Sequence, residues 1–153
     1  IDGKSSGIRK YCGTDMELRK KIFRYSPVAQ PAAMIRKQCL DEVGEYNLKY
    51  PPAEDIDMSF RIGRKYQFAN IQETVARYRE HADSATFKHL KKIELNTIEI
   101  RNKYAQDGSY RMTIIDRLYN FLQHVSIFII PPKIKIWLFR LLRDSRHLGS
   151  RTI

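Results

Sequence analysis

The chain has 153 residues, 42% of them hydrophobic and 11% aromatic, with seven Gly, six Pro and two Cys. That is one domain's worth of sequence able to form a core, and it excludes a disordered, collagen-like or disulfide-framework chain. The 28 Lys and Arg against 17 Asp and Glu leave a net charge of +11, which favours an anionic partner: nucleic acid, a membrane surface or phosphorylated small molecules.

Asp2-Gly3-Lys4-Ser5-Ser6-Gly7 is a turn-rich opening. Thr14-Asp15-Met16-Glu17 matches a capping box and predicts a short helix from Asp15 to Phe23. Pro27 and Pro31 make the next stretch a loop, and Ala32-Ala33-Met34-Ile35 reads as a short buried strand. Arg36 to Val43 reads as a helix that stops at Gly44. After a loop from Glu45 to Ala53, which contains Pro51-Pro52, a helix from Glu54 to Lys65 is apolar on more than one side and so mostly buried. Gln67–Ile71 and Thr74–Arg79, rich in Phe, Ile, Val and Tyr, are expected as two strands. A long helix from Thr86 to Tyr104 is broken by Gln106-Asp107-Gly108-Ser109.

From Ile114 to Leu142 the chain turns apolar, aromatic and basic, and residues 111–153 hold eight basic and two acidic side chains. Val125–Ile130 is a run of six residues, flanked by Gln123, His124, Lys133 and Lys135, where a bilayer span needs ~20. Pro131 or Pro132 is placed to start a helix through Arg143, with Ile134, Trp137, Leu138, Leu141 and Leu142 on one face. Such a helix suits a membrane interface, with Trp at the boundary and basic groups towards anionic head groups, and equally suits packing on the rest of its own protein.

Four smaller features complete the outline. Cys12 and Cys39 are too few and too dispersed for a metal cluster or disulfide scaffold, which points to free thiols in a reducing compartment. Residues 1–30 lack the apolar stretch of a secretory signal, and a first residue of Ile rather than Met suggests a piece of something longer. The basic residues are spread along the chain with no helix-turn-helix, RNP-type strand or zinc-finger spacing, which argues against nucleic acid. His89, His124 and His147 sit in unrelated contexts and read as solvated or packed.

Two places could carry chemistry. Glu54 and Asp55 follow two prolines and open a helix, where free N–H groups and the helix dipole favour ionised carboxylates. Helix stabilisation alone accounts for such a pair; the sharper alternative makes one carboxylate a rigidly held general base. Tyr78-Arg79-Glu80-His81 ends the second expected strand, and Arg79 and His81, two apart, would share one side of it. They could bind a diphosphate, His81 could bind a metal, or both could be solvated surface groups.

Taken in order, Met34-Ile35-Arg36, Leu40-Asp41-Glu42-Val43-Gly44, Ala53-Glu54-Asp55-Ile56-Asp57, Phe60-Arg61-Ile62 and Tyr78-Arg79-Glu80-His81 with Ser84 form a series. Together they resemble the C-terminal half of family 2 glycosyltransferases, whose catalytic domain has the GT-A fold, over Asp2 to about Tyr104. The resemblance implies an α/β fold, a partial GT-A-like unit of a few short strands with helices over 1–105, followed by a helical amphipathic tail over 106–153. It implies an inverting transfer from a nucleotide-sugar donor to a saccharide or lipid-linked acceptor, in the biosynthesis of cell-envelope polysaccharide. Asp55 would be the base, Glu54 would contact the acceptor or fix the loop, and Arg79 and His81 would lie near the donor diphosphate. His81 would also help hold Mg²⁺ or Mn²⁺.

The family's nucleotide-binding half and its Asp-x-Asp metal motif are absent from this sequence. Asp55-Ile56-Asp57 has the spacing but opens a helix, so Asp57 reads as a first-turn charge. Most of the metal and donor machinery would lie upstream of Ile1, and the 153 residues alone are expected to be inactive. The implied place is the cytoplasm, peripheral at the inner face of the cell membrane through residues 114–146. The alternative is a basic module without catalysis that binds a membrane surface or nucleic acid.

Overall fold

The structure is a computed structural model that describes residues 8–79 and 84–138. Its regular elements are helices: α1 (Asp15–Arg19), a 3-10 turn (Gln30–Ala32), α2 (Lys37–Val43), α3 (Glu54–Gly63), α4 (Ala85–Gln106) and α5 (Ile114–Ile129). Residues 132–138 are helical as well, so that helix starts where the prolines place it, and its far end lies outside the described residues.

The expected α/β fold with its partial GT-A-like sheet is overturned: among the described residues there is no strand. Ala32–Ile35 begins in the 3-10 turn, and Met34 is 99% exposed rather than buried. Residues 67–79 approach the stretch before α1 through one backbone bond, Asn70 N–H to the Gly13 carbonyl (3.4 Å). Side chains make the remaining links, with Asn70 Nδ2 donating to the Cys12 and Pro27 carbonyls (2.9 Å each). The physical reason is that β-branched and aromatic residues favour strands only where a pleated, half-buried surface receives them. Ile71, Val75 and Tyr78 have no such surface and lie 72%, 63% and 65% exposed.

The first helix begins at Asp15 as expected, but its cap and its end differ. The Thr14 hydroxyl donates to the Glu17 carboxylate (2.8 Å) and caps no backbone group, and α1 ends at Arg19, well short of Phe23. A true capping box sits instead at α5, where Thr113 Oγ1 accepts from Asp116 N–H (3.2 Å) and Asp116 Oδ2 accepts from Thr113 N–H (3.0 Å). Its acid is Asp, which a search for Ser/Thr-x-x-Glu passes over.

The core is built around α3. Phe60 is fully buried, stacked on Tyr104 of α4 (4.7 Å between centroids, 5° between planes) and met edge-on by Tyr110 (5.1 Å, 90°). Gly63 lets this aromatic group close up. A methyl there would meet the Tyr110 hydroxyl and lie 2.9 Å from Phe68 Cε2. Tyr110 is fixed by its bond to the Phe60 carbonyl (2.8 Å), so it has little freedom to retreat. Gly63→Ala is therefore expected to lower stability by about 1–2 kcal/mol in thermal unfolding, overpacking outweighing the helix-propensity gain of up to about 1 kcal/mol.

Asp57 lies inside this core with no exposed surface. Its carboxylate takes bonds from Arg61 Nε (2.9 Å), Lys103 Nζ (3.1 Å) and the Tyr104 hydroxyl (3.0 Å). Arg61 in turn donates to the carbonyls of Val43 (2.6 Å), Gly44 (3.2 Å) and Glu45 (2.6 Å), so one carboxylate ties α3 to α4 and, through Arg61, to the end of α2. The first-turn charge expected at Asp57 is thus also a buried anchor.

α5 packs on α4 through polar groups. Arg101 donates to Gln123 Oε1 (2.7 Å) and to the Arg24 carbonyl (3.1 Å), and Asn120 Nδ2 donates to Asn102 Oδ1 (2.9 Å). Arg24 Nε lies 2.8 Å from buried Asp116 Oδ1, close enough to pair as ions but out of line for a hydrogen bond.

Candidate functional site

The loop before α3 is held from both ends of the sequence. Asn47 bonds the Lys49 N–H through its side chain (3.0 Å), Ala53 N–H bonds the Tyr50 carbonyl (2.6 Å), and the Pro51-Pro52 peptide is cis. From α4, Asn96 Nδ2 donates to the carbonyls of Tyr50 (3.0 Å) and Pro51 (3.2 Å). This fixes where α3 begins and hence where Glu54 and Asp55 stand.

The three acids of the first turn diverge. Asp57 is consumed by the core, as described above. Glu54 has one oxygen, Oε2, buried without a hydrogen-bond partner. Asp55 is half-buried, and no cation among the described residues pairs with it. Burial pushes the Asp55 carboxyl above the usual range and the neighbouring Glu54 charge adds to this, while the N–H groups of Ile56 and of Asp55 itself pull the other way.

That shift has a stability consequence. A carboxyl whose folded-state pKa is raised adds most to stability when protonated, below its unfolded value of about 3.9, and this is lost as pH rises through the raised value. Asp55→Asn should therefore melt higher than the parent chain at neutral pH, with the two curves converging near about pH 3. Solvent access holds the gain to under about 1 kcal/mol. Melting curves across pH check it, and a destabilised Asp55→Asn at neutral pH would contradict the burial argument.

Tyr11 completes the site, and sequence reasoning did not find it. Burial raises its phenol, Arg9 lowers it and the Asp55 charge raises it again, so Tyr11 stands within electrostatic reach of the carboxylate. The Arg9 guanidinium lies 5.0 Å from the Tyr11 ring centroid. Gln72 Nε2 donates to the Tyr11 carbonyl (3.4 Å), so residues 70–72 tie down the backbone at Tyr11. No sequence pattern marks Tyr11, which is 44 positions from Asp55 and meets it only through the fold.

The donor side is not assembled in this way. Arg79 is exposed and forms no hydrogen bond or ion pair with Asp55 or another described residue. His81 and Glu80 lie outside the described residues, so neither the Arg79–His81 pair nor the metal role of His81 receives a structural account. Among the described residues no group of three His, Cys, Asp or Glu side chains could hold a metal ion. Two concavities lie against α4, one beside Pro132 and one facing α5, and neither includes Glu54 or Asp55.

Comparison of the chain with protein-family models, with curated proteins and with solved structures finds no match. No helix among the described residues is long and apolar enough to cross a membrane.

Proposed function

We propose that this chain supplies the acceptor-side residues of an inverting, family 2-like glycosyltransferase, with Asp55 as the general base. The observation that carries the proposal is the contrast within one helical turn: Asp57 is locked by three donors, whereas Asp55, in the same turn behind a loop anchored by Asn96, stays half-buried, unpaired and raised in pKa. A base of that kind binds a proton more readily than an ordinary Asp at the pH where the enzyme works. The acceptor hydroxyl would give its proton to Asp55 as its oxygen bonds to the anomeric carbon and the nucleoside diphosphate leaves.

Glu54 has a free buried oxygen with which to orient the acceptor, and Tyr11 lies within electrostatic reach of Asp55. The donor nucleotide-sugar falls mainly to residues beyond this chain, together with Arg79 and His81. No sheet and no metal step enters this reading.

The test is transfer by the complete enzyme that contains this segment, followed as nucleoside diphosphate release, for the parent, Asp55→Asn and Asp55→Glu. Loss with Asn and partial return with Glu supports the base. Unchanged turnover in Asp55→Asn removes it and favours a basic module without catalysis.

A further inference from the structure

α5 is turned so that its polar residues face the protein and its apolar residues face out. Asp116 and Asn120 are buried against α4 and Arg24, and with Gln123 they fix the helix by the bonds described above. On the opposite side Ile114, Leu118, Phe121, Leu122, Phe128 and Ile129 are all exposed, from 55% at Leu122 to 85% at Ile114. Their spacing places them within a single arc of the helix, and no polar residue interrupts it. Trp137, 60% exposed, extends the apolar surface past Pro131-Pro132. A continuous patch of this kind marks a binding surface in a soluble chain.

The charge around the patch says what covers it. Arg117 and Lys133 are exposed beside it, Lys91 lies with its Nζ 5.4 Å from the Phe128 ring, and Lys91, Lys92 and His89 line a concavity next to Pro132. The acids of the region are withdrawn: Asp116 is buried against Arg24, and Glu94 is bonded by Lys135 (2.7 Å). A second copy of the chain seated on this face would bring two basic rims together. An anionic bilayer instead takes the apolar arc among its acyl chains and meets the rim with phosphate.

We infer that the outward face of α5, continued by Trp137, is a docking surface for an anionic lipid bilayer, on which the helix lies in the interface plane. This inference stands apart from the transferase reading. Within the stretch 114–146 that the sequence offered for membrane association, it places the contact on α5.

Trp137 is the chain's one tryptophan and reports binding directly. The full chain is mixed with vesicles of equal phosphatidylglycerol and phosphatidylcholine, and with vesicles of phosphatidylcholine alone, and both flotation and Trp emission are read. The expected result is co-flotation and a blue shift with the anionic vesicles, with affinity about tenfold lower for the neutral ones and falling as salt rises.

Leu122→Gln with Phe128→Gln is expected to weaken anionic-vesicle binding about tenfold or more, helix content unchanged. Arg117→Glu with Lys133→Glu, which touches no core residue, should abolish the preference for anionic lipid. Failure of the folded chain to float with either vesicle overturns the inference. So does a salt-stable dimer in sedimentation that Leu122→Gln dissociates, since the face then belongs to a second copy. No sugar or nucleotide is involved, so failure here leaves the transferase proposal standing.

Discussion

Asp57→Asn should cost the fold about 3 kcal/mol, lowering the melting temperature by roughly 6–12 °C. The carboxylate has no exposed surface and receives three donors, two of them cationic. Asparagine fills the same space but loses the charge and one acceptor oxygen, leaving Arg61 and Lys103, which can only donate, as like charges facing a neutral amide. Removing one member of a buried charge cluster is costly because the partners stay buried and uncompensated. The cluster is open on one side, since the Lys103 side chain is 45% exposed and can turn to water, which keeps the figure below that of a sealed pair. Lys103→Met should for the same reason cost under about 1 kcal/mol. Urea or thermal unfolding of the three chains checks the order, and an Asp57→Asn cost below that of Lys103→Met would show that the cluster does not hold the core.

Asp55→Asn, in contrast, should leave the fold intact and reduce transfer by the complete enzyme by about 10²–10⁴-fold, the range of general-base catalysis. Affinity for the nucleotide-sugar should be nearly unchanged, because no described contact links Asp55 to Arg79. The parent enzyme should show an acidic limb in kcat/KM set by Asp55: activity falls as pH drops through its pKa, which burial and the Glu54 charge place above the ordinary Asp value of about 3.9. Glu54→Gln should move that limb to lower pH by removing a neighbouring negative charge. A limb that stays in place in Glu54→Gln would show that another group sets it. The two carboxylates, two residues apart, thus separate stability from activity in opposite directions, an outcome that a merely acidic first turn would not give.

The helices were legible in the sequence and the strands were not, for a reason visible in particular residues. In α2 and α3 the apolar positions repeat with the helical period, and Gly44 follows α2 with φ 81°; α3, expected to reach Lys65, ends at Gly63, which packs against Tyr110 and Phe68. That pattern carries its own partner, since helical hydrogen bonds are local. Val75 and Tyr78 have the composition of a strand, but a strand draws its hydrogen bonds from a neighbour that composition cannot supply. At the site, Glu54 and Asp55 were readable because a helix start is a local feature. The opposite fates of Asp55 and Asp57 were not, since they depend on Lys103 and Tyr104, which lie 46 and 47 positions from the Asp57 they meet. The outward turn of α5 was hidden likewise: the periodicity of Ile114–Ile129 gives an apolar face, and Arg101 and Asn102 of another helix decide that the polar face goes in.

The separation between Asp57 and Tyr104 matters while the chain is being made. The tyrosine is 47 residues downstream, and at about 5–20 residues added per second the carboxylate waits roughly 2–10 s for its hydroxyl partner. Until α4 has left the ribosome, the Asp57 charge in the apolar surface of α3 has only Arg61 of its own helix to pair with. The tie between α3 and α4 through this carboxylate can therefore close only after residue 104 has been added.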